Sequence, residues 1–214
     1  MDARLILDEA GELWGNGKHE EALSIVRAAY LRDPDDHTMA YEYGHMLGEF
    51  ASLTDPAHEK RARDEAVLVL TKLCDSMQGL DPMEQWKIRR HLYLYSGRHL
   101  DNIALGHAEI ARGNALGILS IGFGCLHQAL DLIQKGKLSE ARSFAKEGAE
   151  AFRSLLSLDT PKPGRYLALA LTLGILGQRQ KAFDATRKAA ALLSKKVVDL
   201  KEHNRELERL LGLS

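Results

Sequence analysis

Gly17-Lys-His-Glu-Glu-Ala22-Leu23 returns twice without a gap, as Gly136-Lys-Leu-Ser-Glu-Ala141-Arg142 and as Gly177-Gln-Arg-Gln-Lys-Ala182-Phe183. Each copy follows one apolar segment and opens another, and each sets a glycine five residues before an alanine. The glycine suits a tight turn, because it ends a helix in a left-handed conformation without a Cβ penalty. The alanine falls one turn into the next helix, where a small side chain lets two helix axes approach. Outward from these segments, apolar residues keep a helical period, as in Leu23, Val26, Ala29, Tyr30 and in Leu167, Leu171, Ile175. Pro34, Pro56, Pro82, Pro161 and Pro163 fall between such segments, where helices start or stop. Strict alternation and Asn-Gly or Asp-Gly hairpin signals are missing, so the pattern predicts an all-α chain.

Laid out copy by copy, these residues resemble the tetratricopeptide repeat, a helix–turn–helix unit of about 34 residues. In the first copy Gly17, Ala22, Ala29 and Pro34 match the turn glycine, two small positions and the closing proline, with Ala10 and Leu13 in the preceding helix. Ile6 stands where Trp is common. The second copy uses Ala40, Tyr43, Gly44 and Leu47, and its second helix arrives late, at Ala66, after the charged insert 54–63. The third is the most divergent. Trp86, Tyr93 and Gly97 fit, but Arg89 and Arg90 replace a large apolar and a small residue, and Asn102 replaces the small alanine. The fourth uses Ala129, Leu132, Gly136, Ala141, Ala145 and Gly148, and the fifth Tyr166, Ala170, Leu173, Gly177, Ala182 and Ala189.

The resemblance implies a right-handed superhelical solenoid of antiparallel helix pairs, because each pair leaves an apolar face for its neighbour to bury. The repeat domain is expected over residues 1–193 and a further helix over 194–214. Leu193, Val197, Leu200, Asn204, Leu207 and Leu211 form a 4-3-4-3-4 seam there. That seam suits either a capping helix over the last repeat or a homodimer contact with Asn204 fixing register. Function in this family lies in the concave groove, lined by the fifth and ninth residues of each first helix. Here these read Leu7 and Gly11, Tyr41 and His45, Lys87 and His91, Leu126 and Leu130, Leu167 and Leu171. Members that clamp the C-terminal carboxylate of heat-shock chaperones need Lys and Asn in the first repeat, Asn in the second, and Lys and Arg in the third. Only Lys87 matches, which argues against that ligand and leaves room for another acidic peptide.

Composition narrows the classes further. Among 214 residues, Lys plus Arg (29) nearly cancels Asp plus Glu (30), so no overall basic field invites nucleic acid. The cancellation is uneven: residues 1–65 hold 15 acids against 7 bases. The start of the chain is acidic from Asp2 and lacks a secretory pattern. The most apolar stretch, Ala115–Ile133, is interrupted by His127, Gln128 and Asp131, which speaks against a membrane span. Cys74 and Cys125, each within an apolar run, suit a reducing, cytoplasmic setting with free thiols.

No site chemistry emerges from spacing. The histidines make neither HxxxH nor HExxH, so no metal is expected. A nucleophile elbow, a P-loop and a dinucleotide fingerprint are all missing, so neither a cofactor nor catalysis is expected. The glycines of 113–117 and 121–124 stand in a helical context and suit close packing rather than a phosphate cradle.

The expectation is a non-enzymatic interaction module, an adaptor, scaffold or chaperone-like protein binding a protein or peptide. Tyr41, His45, Lys87 and His91 would fix a polar or anionic end, and Leu126, Leu130, Leu167 and Leu171 would bury apolar side chains. Core packing is the competing role for these leucines. A competing reading of the whole is a self-assembling structural protein, joined through the C-terminal seam or through oppositely charged ends.

Overall fold

A computed structural model describes residues 3–158 and 162–193. The described residues form ten α-helices and no strand. They are α1 (Ala3–Gly15), α2 (His19–Arg32), α3 (His37–Ala51), α4 (Pro56–Ser76) and α5 (Pro82–Tyr95), then α6 (His99–Ala111), α7 (Gly117–Gln134), α8 (Leu138–Leu158), α9 (Pro163–Ile175) and α10 (Arg179–Leu192). The chain is all-α, and none of these helices is long and apolar enough to cross a membrane. Of the C-terminal seam only Leu193 lies among the described residues; the rest of it lies outside them.

Turn chemistry explains where the helices begin. Gly17 adopts φ +79°, and the Lys18 amide donates to the Leu13 carbonyl at 2.9 Å. That is the bond of a Schellman C-cap, and a left-handed residue without a Cβ closes it at no steric cost. Lys137 on Leu132 (2.8 Å) and Gln178 on Leu173 (2.9 Å) repeat the bond after Gly136 and Gly177. The residues that then start α2, α6 and α10, Lys18, Arg98 and Gln178, share φ of −89°, −82° and −85° and ψ of 58°, 57° and 63°. Elsewhere acids cap. Asp36 accepts from the amides of Thr38 (2.9 Å) and Met39 (3.1 Å), and Asp81 from Met83 (2.8 Å), with Pro82 opening α5.

The small positions lie inside. Ala10 and Ala22, Gly44 and Ala66, Ala129 and Ala141, and Ala170 and Ala182 are all buried. The insert 54–63 lengthens α4 to 21 residues, against 14 in α2, so Ala66 reaches its buried place several turns into the helix. The remaining pair carries Arg90 and Asn102. Asn102 is fully buried at the position alanine takes elsewhere, and neither of its amide atoms has a hydrogen-bond partner among the described residues.

The chain divides between Gly97 and Arg98, in the turn of that same pair, into two compact units. Unit 1 buries a core of Ile6, Val26, Tyr43, Leu47, Leu70 and Leu73. Unit 2 buries Phe152, Leu155, Ala141 and Leu173. In unit 2 the glycine-rich stretch is a packing device. A Cβ on Gly106 would lie 2.6 Å from the Gly117 carbonyl oxygen, and one on Gly117 would lie 2.5 Å from that of Gly106, so α6 and α7 touch backbone to backbone.

Candidate functional site

Two helices of unit 1 present matched polar faces. On α3, Tyr41, His45 and Glu49 follow one another at four-residue steps; on α5, Lys87, His91 and Tyr95 do the same. A four-residue step keeps side chains on one helix face. Gly48 makes the approach possible, because a Cβ there would collide with the Tyr95 ring. The rings then gather: His45 lies 4.4 Å from His91 between centroids, Tyr41 5.8 Å from His45, and Tyr95 5.7 Å from His91. The Tyr95 hydroxyl donates to Glu49 Oε1 at 3.0 Å. His45 is half-exposed and lies within 4.0 Å of Glu42 and 3.9 Å of Glu49.

Hydrogen-bond accounting fixes the state of His91. Burial, followed by the charge of Arg90, holds its pKa well below 6.5, so the ring is neutral at pH 7. Arg90 Nη2 lies 2.5 Å from His91 Nε2, and a guanidinium can only donate. Nε2 is therefore the acceptor, and the ring proton resides on Nδ1, 3.0 Å from the Tyr41 hydroxyl oxygen. That oxygen accepts from the ring, which leaves the Tyr41 hydroxyl proton to be donated elsewhere. Burial pushes the Tyr41 phenol up to about 12, so it keeps this proton. Arg90 lies over the Trp86 ring at 5.7 Å, and its buried Nε has no hydrogen-bond partner among the described residues.

Tyr41 also lines a cleft of about 190 Å³ together with Thr38, Glu42, Glu84, Lys87 and Ile88. Lys87 is exposed and makes no ion pair among the described residues. The cleft thus combines a hydroxyl, one ammonium, two carboxylates and an apolar wall.

Tyr41, His45, Lys87 and His91 come together in unit 1, with unequal roles. His91 is 4% exposed and lies against Tyr41, with little surface of its own to offer a ligand. The four leucines lie in unit 2. Leu126, also 4% exposed, belongs to the core, and Leu130 and Leu171 are half-buried against it. Leu167 is half-exposed on α9. A side chain covered to the extent of Leu126 leaves a peptide little to touch. Arg90, Glu42, Glu84 and Tyr95 are additional site residues. The step of four from Lys87 through His91 leads directly to Tyr95, and the misfit of Arg90 in the repeat pattern marks it as polar where a small residue belongs.

In unit 2, burial and then Glu147 push the Cys125 thiol up to about 12, which makes it a poor nucleophile. No group of three or more His, Cys, Asp or Glu side chains among the described residues is placed to hold a metal ion. No protein-family model matches the chain, and no curated protein matches it either.

Proposed function

We propose that the chain is a tetratricopeptide-type solenoid protein that binds a peptide segment through the α3–α5 face of unit 1 and performs no chemistry of its own. The repeated Schellman turns and the buried small residues of four helix pairs support the repeat assignment. The hydrogen-bond chain from Arg90 through His91 to Tyr41 carries the binding reading. It leaves the Tyr41 hydroxyl proton free for a ligand in a cleft that Tyr41 and Lys87 both line. At about 190 Å³ the cleft is smaller than the roughly 300–1,000 Å³ that encloses a whole small-molecule ligand. It suits one side chain or carbonyl of a longer chain that continues across the helix face. Tyr41 and Lys87 take an acceptor oxygen, while Glu42 and Glu84 favour a neighbouring cationic or amide group.

A peptide array probed with the wild-type protein, Tyr41→Phe and Lys87→Glu tests this. Peptides with an acidic residue should be retained by the wild type and bound at least fivefold more weakly by Lys87→Glu. Tyr41→Phe should weaken binding without altering the helical content of the protein. Equal retention by all three proteins would remove the cleft from the binding surface.

A further inference from the structure

The insert that departs from the repeat pattern builds a second cleft in unit 1. The N-terminal extension of α4 brings His58, Arg61 and Ala62 against α2 and α3, and the space enclosed is about 300 Å³, larger than the cleft beside Tyr41. Leu23, Leu47 and Ala62, each under 10% exposed, form its floor with half-buried Phe50.

Two arginines, Arg27 and Arg61, face two glutamates, Glu20 and Glu65, at the rim, and their pairing is uneven. The Tyr43 hydroxyl donates to Glu65 Oε1 at 2.5 Å, and Arg27 Nε lies 3.9 Å from the same oxygen. Glu65 is therefore held by a phenol, and the Arg27 guanidinium has only a long contact to it. His58 is bound to Asp55 at 2.7 Å. Arg61 is exposed and makes no ion pair among the described residues. The remaining rim carboxylate, Glu20, lies in the first turn of α2, where the positive helix end favours it.

We propose that this cleft is a binding site for a small amphiphilic carboxylate, an apolar body in the Leu23–Leu47–Phe50 floor with its carboxylate held by Arg27 and Arg61. Guanidinium groups suit this head group because their planar donors match two carboxylate oxygens at once. An ammonium on the same body would instead lie beside both cations, with only Glu65, already bonded to Tyr43, and Glu20 at the helix start to meet it. The volume sits at the small end of the range for ligand pockets, which fits a compact aromatic or medium-chain acid.

The probes are 4-phenylbutyrate, 4-phenylbutanol and 4-phenylbutylamine, titrated separately into the full-length protein and followed by methyl and aromatic NMR. The carboxylate should give saturable shifts at Leu23, Leu47 and Phe50, with an affinity at least tenfold above that of the alcohol or the amine. Arg61→Glu should reduce carboxylate affinity at least fivefold. Ser24→Trp, at an exposed rim position, should block all three probes without unfolding the protein. Equal affinity for the three head groups overturns the proposal, as do shifts that spare these residues or an Arg61→Glu protein that binds like wild type.

Discussion

His91 is 4% exposed, and its ring nitrogens meet Arg90, Tyr41 and the Lys87 backbone. Its response to acid follows from that. Above pH 6.5 the imidazole is neutral in both the folded and the unfolded chain. Below it, the unfolded chain takes up a proton that the folded chain refuses, because burial and Arg90 hold the folded pKa well under 6.5. Stability therefore falls as pH drops through this window, by up to about 1.4 kcal/mol per pH unit for the one group. His91→Gln keeps an acceptor for Arg90 and a donor for Tyr41 but cannot titrate. In urea denaturation at pH 7.5, 6.5 and 5.5, wild type should lose roughly 1 kcal/mol more than His91→Gln between the end points. Parallel curves for the two proteins would mean that His91 binds its proton equally well in the folded and the unfolded chain.

The helix pair is the next scale, and its differences turn on two residues. Four pairs place glycine or alanine at both small positions, whereas the third carries Arg90 and Asn102, and the division between units falls in its turn. An unsatisfied buried amide costs about 1–3 kcal/mol, and truncating it to alanine gives back part of that as lost packing. Asn102→Ala should therefore stabilise the protein by about 1 kcal/mol, seen as a thermal midpoint about 2–4 °C higher. A lower midpoint would show that the amide is hydrogen-bonded in solution. The same residues show what a sequence makes legible. Helix class, turn glycines and small positions follow from short-range chemistry and could be read directly. Arg90 could be read only as a misfit, because its role depends on Trp86, His91 and Tyr41 meeting across two helices. The leucines at groove positions could not be divided between surface and core by periodicity alone, since both uses keep the same spacing.

Across the whole molecule the near-neutral charge resolves into two opposite halves. Residues 1–97 hold 18 acidic and 11 basic side chains, and residues 98–214 hold 12 and 18. Units of opposite sign on one chain favour head-to-tail association at low ionic strength, since screening within about 10 Å at 0.1 M salt removes most of the attraction between exposed charges. Light scattering in 20 mM and 300 mM sodium chloride is expected to show a larger particle in the dilute buffer. An unchanged mass in both would leave the charge split without a role in assembly.

Within each unit, the helices that pack most extensively are neighbours or next-but-one neighbours in the chain. Such order matters during synthesis. After the first helix of a unit, each helix leaving the ribosome finds a partner already made, and contacts between near neighbours close quickly because little loop entropy opposes them. Unit 1 can complete its core while unit 2 is still being translated. It is also the acidic unit, so it emerges carrying the same sign of charge as the polyanionic ribosomal surface.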